Sequence, residues 1–256
     1  MSIFTTTHAP ALIVPLTGTT TEQIIDEAIA AQAAGADVLE WRVDFLIAAH
    51  QHLSFATIGK DVIAPILEQT EIPLLLTIRT QEQGGQVKLS PGRYRLLIAE
   101  LLDTLVHLNA DPQRIGVDLE FRFSETPALA AGAISWGCTV VVSHHDWLET
   151  PDSELMYLQF EEMLQIPNAV AKLAVTARSD EDVTRLLAVT EKVSADFQRE
   201  IISLAMGEAG KRSRFEGAAH GSVATFVAVG AASAPGQPTM VEMKEFLTGD
   251  ERFSRR

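Results

Sequence analysis

The run Ala169-Val170-Ala171-Lys172-Leu173-Ala174-Val175 sets one lysine in the middle of otherwise apolar residues. Lysine is almost never fully buried without a partner, so an amine held in such a run has a chemical reason to be there. Its neutral form attacks carbonyl carbon. An ordinary lysine is only ~0.04% neutral at pH 7, and desolvation or a neighbouring cation raises that fraction. Schiff-base formation with a carbonyl substrate is the chemistry this residue supports. The competing account, a paired or snorkelling lysine, suits an amphipathic helix better than a segment apolar on both faces.

Other polar residues fall in comparable places. In Val38-Leu39-Glu40-Trp41-Arg42-Val43-Asp44, a period of two puts Glu40, Arg42 and Asp44 on one face and Leu39, Trp41 and Val43 on the other. The apolar face must lie under helices, so the charged face points inward, where its groups must pair or meet a ligand. A closed salt-bridge network is the alternative. Thr77-Ile78-Arg79 ends a further run, and Gly84-Gly85 lets the next loop turn back closely. Asp118-Leu119-Glu120 ends another. Val142-Ser143-His144-His145-Asp146 ends on two histidines that point opposite ways on a strand, and periodicity does not choose between them. Lys211-Arg212-Ser213-Arg214 offers a carboxylate grip through paired hydrogen bonds, although a solvated loop suits Lys211 and Arg212 equally well. Ala231-Ala232-Ser233-Ala234-Pro235-Gly236-Gln237 is a small-residue segment suited to a mobile lid or to an ordinary turn.

The elements that must position these residues alternate along the chain. Apolar runs at 12–16, 38–43, 73–78, 115–119, 140–143, 169–175, 201–206 and 222–227 read as strands. Helical periodicity covers 22–34, 58–69, 91–108, 127–136, 153–165, 180–193 and 239–246. Strands separated by helices favour a parallel sheet. Eight of them in 256 residues match an α/β fold of the closed (β/α)8 type, a TIM barrel, as a single domain over 1–256. No Gly-x-Gly-x-x-Gly follows a strand, so a dinucleotide-binding fold lacks its fingerprint. In a barrel, chemistry sits at the C-terminal strand ends, which is where the unusual polar residues fall.

Composition narrows the classes further. The chain is 46% hydrophobic and 21% charged, with a formal net charge of -14. That charge argues against a nucleic-acid surface. It also means that arginines holding an anionic substrate must act locally against the global field. No stretch has the apolar length of a membrane helix. The first residues lack the basic start of a signal peptide, so the default location is cytoplasmic. Cys138 is the only cysteine, which excludes an intrachain disulfide and a cysteine-type zinc cluster.

Taken in order, Glu40-Trp41-Arg42-Val43-Asp44, Thr77-Ile78-Arg79, Asp118-Leu119-Glu120, Ser143-His144-His145-Asp146 and Lys172-Leu173-Ala174-Val175 resemble type I 3-dehydroquinate dehydratase. The C-terminal block is the most specific part: Met206-Gly207 to Ser213-Arg214, then Gly221-Ser222, Thr225-Phe226 and Ser233-Ala234-Pro235-Gly236-Gln237. The resemblance covers nearly the whole barrel. It implies a lyase that dehydrates 3-dehydroquinate to 3-dehydroshikimate, by syn elimination through a Schiff base on Lys172. His145, which immediately precedes Asp146, matches the catalytic histidine that carries protons, and Glu40 would orient it. Arg214 would hold the substrate carboxylate. Arg42, Arg79, Ser233, Gln237 and Gln83 would contact its hydroxyls and carboxylate, and Met206 its ring. No metal or organic cofactor is implied, and the assembly expected is a homodimer. Two departures stand out: Gln83 replaces a glutamate before the Gly-Gly, with Glu82 one place earlier, and Pro15 occupies the end of the first strand. The rival readings are a class I aldolase-like barrel, which would need a phosphate site near its last two strands, and a non-catalytic metabolite-binding paralogue.

Overall fold

The computed structural model describes residues 2–4, 10–50, 54–230 and 233–254. Within them the apolar runs become eight parallel strands: β1 (Ala11–Leu16), β2 (Val38–Arg42), β3 (Leu74–Thr77), β4 (Ile115–Glu120), β5 (Thr139–His145), β6 (Val170–Thr176), β7 (Ile201–Met206) and β8 (Ala224–Phe226). Hydrogen bonding follows the order β7-β6-β5-β4-β3-β2-β1-β8. The ring closes where the Val223 N–H, just before β8, donates to the Ile201 carbonyl at 2.9 Å. This is the expected (β/α)8 barrel.

Helices fill the connections. α1 (Thr21–Ala33) starts at Thr20, whose side chain accepts from the Gln23 N–H. After β2 come α2 (Val43–Ala49), α3 (Phe55–Ile58) and α4 (Ala64–Gln69), and after β3 comes α5 (Pro91–His107). α6 (Thr126–Trp136), α7 (Ser153–Leu164) and α8 (Asp180–Phe197) follow β4, β5 and β6 in turn. α9 (Lys211–Glu216) follows β7, and α10 (Met240–Gly249) opens on a capping box between Thr239 and Glu242.

Two local expectations fail. The helix expected over 58–69 is interrupted by a π turn at Gly59–Ile63. That turn immediately precedes Pro65, which has no N–H to continue the ordinary ladder. Asp44, expected on the inner face of a strand, instead lies in the first turn of α2 because β2 stops at Arg42. Its buried carboxylate accepts from Nε and Nη2 of Arg42, both at 2.8 Å. It also accepts from the backbone N–H groups of Arg79 and Gln86 at 3.3 and 3.0 Å. This donor set makes the burial affordable.

Apolar packing forms two shells. Trp41, Tyr94, Phe160 and Ile24 belong to the shell between sheet and helices, while Ile13, Val38, Leu75, Val141, Val170 and Ile202 fill the barrel interior. Ile3 plugs the end where β4 and β5 begin. Its N–H donates to Thr139 Oγ1 at 3.1 Å, and a Cβ on Gly116 would come within 2.5 Å of its Cδ1. The opposite end is left for polar groups. Strand register then lines up Glu120, Ser143, Lys172 and Ile202 across β4 to β7, and Arg42, Thr77, Asp118 and Val141 across β2 to β5.

Candidate active site

At the C-terminal strand ends lies a pocket with a cavity volume of about 70 Å³, open to solvent at its mouth. Glu40, Arg42, Arg79, Gln83, His145, Lys172, Met206, Arg214, Ser233 and Gln237 all line it. The structure therefore brings every site residue named from the sequence to one cavity. Of the small-residue segment after β8, Ala231 and Ala232 lie outside the described residues.

Lys172 is only 3% exposed. Its Nζ lies 3.4 Å from Asp118 Oδ2 and 3.6 Å from Glu40 Oε1, and 4.4 Å over the centre of the Phe226 ring. The amine is thus buried between two carboxylates and one aromatic face. Asp118 is itself embedded in a network: Ser143 Oγ donates to it at 2.6 Å and Arg79 Nη2 pairs with it at 2.8 Å. Burial alone would push the Asp118 carboxyl up, but Arg79, Lys172 and the Ser143 hydroxyl together hold it below the usual carboxylate range. Glu120 completes the cluster, accepting from the Thr80 N–H and Oγ1 at 2.8 Å each. Burial favours the neutral form of Arg79, but Asp118, Glu120 and Glu40 outweigh it and raise its proton affinity.

The histidine choice that periodicity left open is made by the barrel. His145 lines the pocket and His144 does not. His144 instead has its Nε2 3.4 Å from Arg122 Nη2, and burial together with Arg122 pushes its pKa down to about 4. His145 has a buried Nδ1 with no hydrogen-bond partner among the described residues. Burial first, then the cations Arg79, Lys172 and Arg42, hold its proton affinity well below the ordinary imidazole value, so it is a neutral base at pH 7. The expected Glu40–His145 hydrogen bond is not formed among the described residues. Glu40 Oε1 is committed to Thr77 Oγ1, which donates at 3.0 Å, and to the Lys172 amine.

Arg214, at the C-terminal end of α9, is 2% exposed, and its guanidinium makes no hydrogen bond or ion pair among the described residues. Burial alone lowers its pKa to about 10. A buried guanidinium without a counter-ion is costly, and an anion entering the pocket relieves it. Gln237 presents a second unmet donor: its Oε1 accepts from the Ser233 N–H and Oγ at 2.8 and 2.9 Å, while its buried Nε2 has no partner among the described residues. Arg42, by contrast, is paired with Asp44.

Sequence reasoning missed two participants. Asp118 carried a signal, since its parity with Glu120 on β4 puts both carboxylates on one face, but its meeting with Lys172 depends on the barrel closing. Trp147 carried none. Its indole rests on Gly84 so closely that a Cβ there would lie 2.0 Å from Cζ2, and both residues line the pocket. Among the described residues no group of three or more His, Cys, Asp or Glu side chains could hold a metal ion. No described helix is long and apolar enough to cross a membrane.

Known proteins resemble this chain in sequence and in overall fold. A family model described as type I 3-dehydroquinase matches residues 12–253. The 3-dehydroquinate dehydratase of Salmonella choleraesuis is 33% identical over 246 residues, covering 94% of this chain and 92% of that protein. The crystal structure of 3-dehydroquinate dehydratase from Geobacillus kaustophilus superposes with a TM-score of 0.83 at 28% identity, over 96% of this chain and 93% of that one. The type I enzyme from Clostridium difficile, solved with covalently modified comenic acid, gives 0.78 at 28% identity, over 93% and 91%.

Proposed function

Because the chain belongs to the type I 3-dehydroquinase family, we propose that it is a lyase that dehydrates 3-dehydroquinate to 3-dehydroshikimate through an imine on Lys172. The observation that carries this reading is the buried Lys172 amine facing the same pocket as the unpaired Arg214 guanidinium. One group suits the ketone and the other the carboxylate of a small acid.

The steps follow from those placements. Arg214 binds the substrate carboxylate, and Gln237 and Ser233 close over the hydroxyls, with Met206 against the ring. Gln83, Arg42 and Arg79 border the same space. The neutral Lys172 amine adds to the ketone, and the carbinolamine takes up one proton from solvent as it loses water, which leaves a protonated iminium; the final hydrolysis returns that proton. Asp118 and Glu40 stand as its counter-ions, in the low-dielectric setting where such charges count most. Neutral His145 removes a proton from the carbon next to the iminium, and the electron pair of that C–H bond moves into the iminium to give an enamine. The enamine then expels the hydroxyl one carbon further on, and the imidazolium protonates it as it leaves, so water departs and the conjugated iminium forms. One carrier on one face makes the elimination syn. Water hydrolyses the iminium, releasing the enone and free Lys172.

Reduction with borohydride in the presence of 3-dehydroquinate, followed by mass spectrometry, tests the reading. The expected result is a covalent adduct on Lys172 and its loss in Lys172→Ala, together with ultraviolet absorbance from the enone. Robust turnover with no adduct, and an active Lys172→Ala, would remove the imine mechanism; binding without enone would leave a metabolite sensor. The reading extends to one catalytic domain over 1–256 acting as a cytoplasmic homodimer, which rests on the family resemblance; sedimentation at micromolar concentration checks the dimer.

A further inference from the structure

One hydroxyl sits where the charged groups beneath the pocket meet. Ser143, on β5, is wholly buried. It lies between Glu120 of β4 and Lys172 of β6 in one layer of the sheet. Its Oγ donates to Asp118 Oδ1 at 2.6 Å and accepts from Arg79 Nη1 at 2.9 Å. A hydroxyl has one proton to give, and a guanidinium offers only donors, so both directions are fixed. The proton goes to Asp118 and a lone pair faces Arg79.

The consequence falls on Asp118. Its Oδ1 receives two donors, the Ser143 hydroxyl and Arg79 Nη2 at 2.8 Å, and Oδ2 is left to face Lys172 Nζ at 3.4 Å. Arg79 is divided in the same way, with Nη2 on Asp118 and Nη1 on Ser143 and, at 3.4 Å, on Glu120 Oε1. Glu120 shares the layer of Lys172 but is turned to Thr80, from whose N–H and Oγ1 it accepts. Both carboxylates flanking the amine are therefore held by a hydroxyl. For Glu40 the same oxygen, Oε1, meets Thr77 and the amine. For Asp118 the two oxygens are divided, and Ser143 takes part in dividing them.

We propose that Ser143 is a positioning residue for the Lys172 imine. By tying one oxygen of Asp118 it turns the other toward the nitrogen, so that the counter-ion is in place before the iminium charge forms. The proposal rests on the reading of Lys172 as the imine-forming amine. A carboxylate already in place costs no reorganisation at the moment of reaction, which is how such a group lowers a barrier.

The test compares Ser143→Ala, Ser143→Cys and Ser143→Thr with the unsubstituted chain. Steady-state enone formation gives kcat and KM, and borohydride quenching at short times gives the rate of imine formation at saturating substrate. Ser143→Ala is expected to slow imine formation and kcat about tenfold and to change KM less than about threefold, because a small misplacement of the counter-ion is felt in the chemical step. Ser143→Thr keeps the hydroxyl and should recover both rates to within about threefold of the original. Ser143→Cys keeps the shape but donates more weakly, so it should fall between alanine and serine, and it decides the matter if the threonine methyl is not accommodated. A serine that only supports the fold would lower the urea midpoint of Ser143→Ala and leave its imine rate unchanged, which overturns the proposal. A raised KM with unchanged kcat overturns it too, since Ser143 would then serve binding through Arg79. Cysteine and alanine variants with the same imine rate would also overturn it. Any of these results with full turnover by the unsubstituted chain overturns this proposal alone, whereas absence of a Lys172 adduct or of enone from that chain overturns the dehydratase reading with it.

Discussion

Replacing Arg214 by methionine should weaken substrate binding roughly a hundredfold while stabilising the ligand-free protein. The size follows from the empty site. Burial without a partner lowers the guanidinium from the ordinary arginine value to about 10. At ~1.36 kcal/mol per tenfold change in proton affinity, that is about 3 kcal/mol of desolvation left uncompensated. The sign is set by the side on which pH 7 lies. The group is charged in both folded and unfolded chains, and its folded value is depressed. The cost is therefore present in full at every pH below about 10 and fades only as pH rises from there toward the ordinary arginine value. A substrate carboxylate recovers an energy of this order, and ~3 kcal/mol is roughly a hundredfold in affinity. Methionine fills much of the same space without the charge. The expected results are a KM raised roughly a hundredfold from the enone assay, imine still trapped on Lys172 at saturating substrate, and an unfolding free energy from urea titration above that of the unsubstituted chain by ~1–3 kcal/mol. A KM within threefold of the original would refute the role in binding. A stability loss greater than ~1 kcal/mol would refute the reasoning about the empty site, because it would mean that the charge is compensated in the fold.

Two further predictions follow from the same network. His145→Ala should lower kcat by at least ~10² while still allowing some borohydride-trapped adduct on Lys172, whereas His144→Ala, outside the pocket, should change kcat less than about fivefold; steady-state kinetics with mass spectrometry decides, and a reversed order sinks the assignment. Asp118→Asn should cost ~3–5 kcal/mol in urea unfolding at pH 7, because it leaves Arg79 and Lys172 short of a buried partner. Since the Asp118 carboxyl is held below its usual range, its contribution is complete above pH ~4 and fades as pH falls through the lower folded value. The gap between variant and original should then narrow only in that acid range, and a gap that is flat or absent at pH 7 would contradict the network.

The barrel was legible in the sequence because alternation of apolar runs with helical segments is a local property. Where a boundary misled, a local event had ended the regular pattern: β2 stops two residues before Asp44, and a π turn precedes Pro65. The site residues were legible as types, since a lysine within an apolar strand or a carboxylate and an arginine at period two are unusual wherever they occur. Their partners were not. Glu40 was matched to His145 and is found with Thr77 and Lys172, because a carboxylate pairs with whatever donor the closed sheet brings within reach.

By itself, then, the sequence determined the fold class and the reactive amine from residue type and short-range period, while Arg214 and His145 were singled out by the family resemblance. Only the tertiary structure turned His145, the histidine the family motif had singled out, rather than His144 into the pocket, set Asp118 beside the amine and left Arg214 with no counter-ion among the described residues. It also showed that the Gln83 Oε1 accepts the His145 backbone N–H at 2.8 Å. These depend on register and closure of strands far apart in the chain, which place side chains to within about an ångström and which no local pattern encodes.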